Sequence, residues 1–354
     1  MDAVEFLRSL VATPSLSGDE GAVAELLVEC MSAFGLDSHV DGAGNAVGLK
    51  RGAPVADGQE RSVVLLGHID TVPGDIPVRI EDGKLHGRGA VDAKGPIATF
   101  ARAVAEVEPA PGVALIVIGA VEEEAASSRG ARFVAPLHRP EACIIGEPSG
   151  WDALTLGYKG RTVVKIEFEQ DCGHSAGPEG AVSETAADLW QGVRSWCEDF
   201  NSGKPRLFDA CLPSLSQFIT TSDGLRDRVV VGISLRTPPG FDAQPLKRHI
   251  EELAAGANVY YAGEELAWTS PRTSPLARAF SRSFAAHGLR PRFKHKTGTS
   301  DMNVLGPVWG CPIAAYGPGD STLDHTPSEH IVLAEYERSI EVLKGALRAG
   351  GWAV

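Results

Sequence analysis

Two unbroken apolar runs constrain this 354-residue chain more than any other feature. They are "SVVLLGHI" (62–69) and "VALIVIGAV" (113–121), both rich in β-branched residues. A strand with one wet face alternates polar and apolar residues. A continuous apolar run of this length reads as a strand buried on both faces. Between the two, "KGPIATFARAVAEV" (94–107) carries helical apolar spacing, and "EACIIGEPSG" (141–150) supplies a further short buried strand. Strand, helix, strand, helix, strand predicts an α/β fold with a mostly parallel sheet and helices on both faces.

Elsewhere the pattern changes. "RTVVKIEFEQ" (161–170) alternates as a half-buried antiparallel strand does. A helix over 183–200, strands near 214–221 and 228–236, a helix near 243–255 that Asp242 can cap, and a strand at 257–263 follow. This β-α-β-β-α-β order predicts an inserted two-layer α+β domain of ferredoxin-like type. Three segments result: 1–158 and 266–354 as the two parts of the larger domain, and 159–265 as the insertion. Two helix starts carry cap signals. Ser17 and Glu20 have capping-box spacing within 13–34, and Ser274 precedes Pro275 ahead of a helix over 273–288. A last helix over 333–351 ends on glycines.

Composition narrows the function classes. A net charge of −13 argues against general nucleic-acid binding. No apolar run approaches a membrane-spanning length, and "MDAVEFLRSL" lacks a signal-peptide pattern, so a cytoplasmic protein is expected. Six scattered cysteines without a C-x-x-C pair read as reduced thiols.

Chemistry-bearing residues gather where strands end. His68 and Asp70 close the first apolar run, two residues apart, and on a strand would share a face. The pair could be a metal ligand with its orienter, or an ordinary polar strand end. Asp92 lies in "GRGAVDAKGP", the run Glu122, Glu123, Glu124 follows the second apolar run, Glu147 lies in "IIGEPSG", and His325 in "YGPGDSTLDHTPSEH". Sites in open α/β sheets form beyond the carboxyl ends of strands. Two His with several carboxylates and no Cys suit hard-to-borderline divalent ions, zinc above all.

In this order, "GHIDTVP", "GRGAVDAKGP", a strand ending in Glu-Glu, "GEPS", "GHSAGP" and "DHTPSEH" resemble the M20 family of co-catalytic dizinc amidohydrolases. The resemblance spans almost the whole chain. It implies two divalent ions per chain, zinc with cobalt as a substitute. His68 and Glu147 would bind one, Glu124 and His325 the other, and Asp92 would bridge them, followed by a cis peptide. Asp70 would steady His68, and the Glu before the second-ion ligand would be the general base. The family's Asp-Glu-Glu maps onto "VEEE" in two registers. One makes Glu123 the base and Glu124 the ligand, and the other makes them Glu122 and Glu123. The resemblance further implies a homodimer in which His174 of "GHSAGP" reaches the partner subunit's site and steadies an oxyanion. Arg236 would hold a substrate carboxylate by a forked contact. Gly298, Thr299, Ser300 and Asp301 would line the substrate pocket, with Asp301 either meeting a substrate ammonium or capping the following helix.

Within the family the chain looks most like members that release lysine or ornithine from the acidic amino-group carrier protein LysW, in lysine and arginine biosynthesis. "RPRFKHK" (290–296), with four Lys or Arg in seven residues, could attract such a partner, or be a solvated turn. The rivals are N-acetylornithine deacetylase and succinyl-diaminopimelate desuccinylase. Beyond them stand a dipeptidase or aminopeptidase, and a non-catalytic binding protein of the same fold.

Overall fold

The computed structural model describes residues 1–56, 58–174 and 180–354. They form two compact units. The first comprises Met1–Gly157, Thr269–His295 and Ser300–Val354, and the second Tyr158–Trp268 with Lys296–Thr299. Lys296–Thr299 thus groups with the second unit, apart from the residues that flank it in sequence.

The first unit is built on the main sheet. Along it run Asp37–Val40, Ala46–Arg51, Val113–Ala120, Arg61–His68, Ala142–Gly146, Ile313–Tyr316 and Ala153–Tyr158. The four central strands are mutually parallel, and Asp37–Val40, Ala46–Arg51 and Ala153–Tyr158 each pair antiparallel with their inner neighbour. All eight residues of Val113–Ala120 are buried, which is why that strand reads as an uninterrupted apolar run. Helices Ala3–Ala12, Lys94–Glu106, Pro275–Ala286 and Leu333–Ala349 pack against it and one another. Phe6, Phe100, Phe280, Phe284, Tyr316 and Leu343 fill the core between them. Burying one such side chain contributes about 1.5–3 kcal/mol, so this sheet is a rigid base for whatever its strand ends carry.

Glycines bring those ends together. Gly67 and Gly146 are register partners on adjacent parallel strands, immediately before His68 and Glu147. A Cβ on Gly146 would lie 2.9 Å from the Cα of Gly67. No side chain fits there, and the two following residues emerge side by side.

Helix starts were partly legible. Ser274 caps Pro275–Ala286 by accepting the Ala277 N–H at 3.1 Å. The capping box at Ser17 and Glu20 does not form. The helix runs Gly21–Ala33 without a side-chain cap, because both side chains are bonded elsewhere. A small second sheet in this unit joins Arg79–Glu81, Lys84–His86 and His330–Val332.

The second unit holds a four-stranded antiparallel sheet in the order Leu212–Ser222, Arg226–Thr237, Gly160–Asp171, Asn258–Glu265. Helices Val182–Asn201 and Gln244–Leu253 cover one face through Leu189, Val193, Leu246 and Ile250. Among the described residues, no helix is long and apolar enough to cross a membrane.

Candidate active site

Seven of the residues singled out above converge in the first unit: His68, Asp70, Asp92, Glu123, Glu124, Glu147 and His325. His68 ends its strand almost fully buried, with Nδ1 3.0 Å from the Asp70 carbonyl and 3.3 Å from Asp70 Oδ1. Its Nε2 faces Asp92 Oδ1 at 3.1 Å. The other Asp92 oxygen, Oδ2, lies 3.2 Å from His325 Nε2, which also meets Glu124 Oε1 at 2.9 Å. Asp92 therefore shows one oxygen to each histidine. The peptide from Asp92 to Ala93 is cis.

Among the described residues, three clusters each bring one ligand atom per residue within 4.8 Å of the others: His68–Asp92–Glu147, Asp92–Glu124–His325 and His68–Glu123–Glu124. Asp92 belongs to the first two, which are the sets expected from the motifs. Imidazole and carboxylate donors in these numbers suit zinc-like divalent ions. A histidine whose far nitrogen is held by an Asp is the usual support of a metal-binding imidazole. The residues present fit two such ions.

The backbone distinguishes the three glutamates. Glu122 takes a left-handed φ of +57°, as does His325 at +61°, a conformation that costs a non-glycine residue roughly 1–2 kcal/mol. Its own carboxylate turns away, accepting from Ser127 Oγ at 2.6 Å and Arg129 Nη1 at 3.1 Å. After that turn the N–H groups of Glu123 and Glu124 donate to Asp70 Oδ1 and Oδ2, each at 3.0 Å. Burial pushes the Glu123 carboxyl well above the usual range. The neighbouring carboxylates Glu147, Asp301 and Glu124 push the same way, against His68. Among the described residues, Glu123 and Glu124 both stand in donor clusters and Glu122 stands in none.

Several supporting residues escaped the motif reading. Ser17 donates to Asp70 Oδ2 at 2.6 Å. Burial opposes ionisation of Asp70, but the bonds from His68, Ser17 and the Glu123 N–H outweigh it and hold its carboxyl below the ordinary range. Glu20 accepts the Glu122 N–H at 3.1 Å and so fastens the left-handed turn. Glu329, fully buried, accepts the N–H groups of Val91 at 2.9 Å and Asp92 at 3.2 Å, and pairs with Arg88 at 2.8 Å. Buried Lys94 donates to the Thr13 carbonyl at 2.7 Å, and burial lowers its ammonium to about 8. Arg88, Lys94 and Glu329 lie inside the quoted motifs, so the signal was present. Ser17 and Glu20 looked like local caps.

The expected substrate residues divide between the units. In the second, Arg236 Nη1 donates to Thr299 Oγ1 at 2.7 Å, and the space beside the Gly298 Cα is open. In the first, Ser300 and not Asp301 caps the helix Asp301–Trp309. Ser300 accepts from the Met302 N–H at 3.2 Å, with Asn303 answering as a capping box. Asp301 is the buried first residue of that helix. His174 is exposed, and residues 175–178 of its motif lie outside the described residues.

Known proteins resemble this chain in sequence and in fold. The chain is 46% identical to the LysW-lysine hydrolase of Deinococcus radiodurans over 353 residues, covering 98% of this chain and 96% of that protein. It is 28% identical to the LysW-lysine/LysW-ornithine hydrolase of Saccharolobus islandicus over 277 residues, 78% of each chain. The solved M20 family metallo-carboxypeptidase Sso-CP2 from Sulfolobus solfataricus has the same fold, with a TM-score of 0.80 at 17% identity over 99% of this chain and 100% of that one. Residues 64–349, which carry every metal-type donor cluster described above, match the model of peptidase family M20/M25/M40, and the chain belongs to that family.

Proposed function

We propose that this protein hydrolyses the amide bond that joins lysine, or ornithine, to the acidic carrier protein LysW, and that it does so with two zinc ions. The observation that carries the chemistry is Asp92, whose two oxygens face two histidines that each stand in a separate donor cluster. The carrier substrate is supported by the high identity with the Deinococcus radiodurans LysW-lysine hydrolase along the whole chain.

His68 and Glu147 would hold one ion and Glu124 and His325 the other, with Asp92 placed to serve both. Such a pair of ions, when bound, activates a water and polarises the scissile carbonyl. Glu123 accepts a proton from the attacking water and returns it to the departing amine nitrogen. Its burial among other carboxylates favours a base that gives its proton back. Asp70 fixes the His68 ring and, through two N–H groups, the main chain that carries Glu123 and Glu124. Arg236, with Thr299 beside it, holds the substrate carboxylate, and Asp301 meets the substrate ammonium.

The working form is a homodimer in which His174 steadies the oxyanion in the partner subunit's site. Leu212–Ser222 supports this reading. It is the edge strand of its sheet, and it leaves Leu215, Phe218 and Ile219 exposed. A long apolar edge of this kind is a template for pairing with a second chain. Mixing inactive Glu123→Gln chains with inactive His174→Ala chains should restore activity, because one mixed site would be intact.

A hydrolysis panel tests the substrate. The purified protein is given LysW bearing γ-glutamyl-lysine or γ-glutamyl-ornithine, N-acetylornithine, succinyl-diaminopimelate and simple dipeptides. The carrier conjugates should have the highest kcat/KM. Faster turnover of N-acetylornithine would return the protein to the deacetylase class.

A further inference from the structure

Two thiols in the second unit meet although nothing in the hydrolytic chemistry uses them. Cys197 sits on the helix Val182–Asn201, and Cys211 immediately precedes the edge strand Leu212–Ser222. Their sulfurs are 3.8 Å apart. Both residues are almost fully buried, in the core with Leu189, Val193 and Val231.

The contact is built, because the main chain at Cys211 is clamped from the same helix. Asn201 accepts the Cys211 N–H at 2.7 Å and donates to the Cys211 carbonyl at 2.8 Å. That fixes the position of one sulfur relative to the helix that carries the other. The segment before Cys211 is fixed as well. Lys159 donates to the carbonyls of Leu207 and Phe208, at 2.9 and 3.3 Å, and to that of Ala210. Lys159 therefore brings an ammonium to the chain beside Cys211. The hydrogen bond from the Cys197 thiol, then the Lys159 and Lys204 ammoniums, hold the Cys211 thiol below its ordinary range despite burial. The Cys197 thiol is raised by the same contact, so the two sulfurs are unequal. A thiol shifted towards its thiolate with a second sulfur 3.8 Å away to resolve it is an arrangement that peroxide oxidation uses.

We infer that Cys197 and Cys211 are a reversible disulfide site, closed by peroxide-class oxidants and reopened by thiol reductants. The Cys211 thiolate attacks one peroxide oxygen, forming Cys211 sulfenic acid, while the other oxygen leaves as hydroxide and becomes water. The Cys197 sulfur then attacks the Cys211 sulfur and expels hydroxide, which takes the Cys197 proton and leaves as a second water. Two thiols are oxidised by two electrons and one peroxide is reduced. The sulfurs close from 3.8 Å to the roughly 2.05 Å of a disulfide. The bridge ties the helix to the root of the edge strand. Because both sulfurs are shielded from solvent, reaction proceeds through local opening of the unit.

The test uses the full chain carrying Cys172→Ser, which removes the exposed thiol that could cross-link molecules. After hydrogen peroxide, alkylation and digestion, a linked peptide pair containing Cys197 and Cys211 should appear, two hydrogens lighter than the free peptides. Titration in denaturant should find two thiols fewer per chain, restored by dithiothreitol. The closed form should unfold about 5–10 °C higher than the open form, since a staple around a loop this short restricts the unfolded chain. Recovery of both peptides unlinked, whether still reduced or each singly oxidised to sulfinic acid, would overturn the assignment. Adding Cys197→Ser should leave Cys211 as a sulfenic acid that dimedone traps. An unmodified Cys211 in that variant would overturn the order of attack.

Discussion

Asp70 Oδ1 accepts the main-chain N–H of Glu123 at 3.0 Å while lying 3.3 Å from His68 Nδ1. One buried carboxylate thus positions both a metal-type imidazole and the segment that carries the proposed base. Asp70→Asn keeps the shape but must turn an amide NH2 towards a donor: Ser17 Oγ and the Glu124 N–H on one side, or the Glu123 N–H and His68 on the other. A buried donor left unsatisfied costs about 1–3 kcal/mol, so the variant should lose about that much stability by denaturant titration. Activity should fall about 10–100-fold, the usual result of disturbing the partner of a metal-binding histidine. Ser17→Ala removes only one of the four donors and should be milder on both measures.

The left-handed turn at Glu122 makes the two registers separable. Glu123→Gln should lower kcat by about 10²–10⁴ with little change in KM, the loss expected when a general base is removed. Glu122→Gln gives up only polar contacts to Ser127 and Arg129 at the surface and should stay within about tenfold of the parent enzyme. A dead Glu122→Gln that still holds its metal would move the base by one residue.

Glu329 predicts a difference between two substitutions. Glu329→Gln can still accept the Val91 and Asp92 N–H groups through its carbonyl, but it turns an amide NH2 towards Arg88 Nη1 and loses that acceptor with its charge. Glu329→Ala removes the acceptor of both N–H groups and leaves Arg88, whose side chain is only 13% exposed, with the Gly74 and Thr326 carbonyls but no counter-charge from this residue. Removing one partner of a buried pair costs about 3–5 kcal/mol. The alanine variant should therefore unfold at much lower urea than the glutamine variant. It should also retain less metal by elemental analysis, because Asp92 loses the anchor of its own main chain.

Where the local signal and the long-range contacts agreed, the sequence was enough. Val63–Leu66 and Val113–Ala120 read as unbroken apolar runs because both stretches are buried inside the sheet, and Ser274 caps its helix by accepting the Ala277 N–H, as its spacing ahead of Pro275 predicts. Ser17 and Glu20 show the opposite case. Their spacing is that of a capping box, yet the hydroxyl goes to Asp70 and the carboxylate to the Gly18 and Glu122 N–H groups. A motif four residues long carries no information about partners 53 and 102 residues away. The metal-type donors were legible because each sits in a recognisable motif at a strand end or in a glycine-rich loop. Glu329 and Arg88 sat in the same motifs, but their task is only visible once the Asp92 and His325 segments meet. The exposed edge strand Leu212–Ser222 reads like any alternating strand, since the absence of a neighbour leaves no mark on composition.

Metal removal should be costly in a directed way. Without a cation, Asp92, Glu123, Glu124 and Glu147 crowd one another, with two histidines to offset them. Chelation should abolish hydrolysis and lower the unfolding temperature. Restoring zinc should stabilise the fold by about 2.7 kcal/mol when free ion reaches 100 times its Kd. Elemental analysis of the reloaded protein should give close to two ions per chain. Full activity after exhaustive chelation would remove the metal from the reaction.

The basic stretch 290–296 gives the sharpest test of the carrier substrate, once the structure has narrowed it. Residues Arg292–Lys296 form a strand, so this is not a free turn. Arg292 is paired with Asp152, and the Lys294 ammonium is bonded to the Ser149 carbonyl. Reversing either would break the fold's own contacts and confuse the reading. Arg290 is exposed, and Lys296 lies 6.0 Å from the Tyr158 ring centre, a weak contact. Arg290→Glu and Lys296→Glu are therefore the informative changes. In a chain of net charge −13, two local positive charges matter chiefly for the encounter with an acidic partner. The double variant should lower kcat/KM for the carrier conjugate about tenfold at low salt. The deficit should shrink as ionic strength rises and the screening length falls to about 8 Å near physiological salt. Cleavage of a small γ-glutamyl-lysine analogue should stay near the parent rate at every salt concentration. An equal loss on both substrates would place these side chains in the small-molecule site, and the docking role would be abandoned.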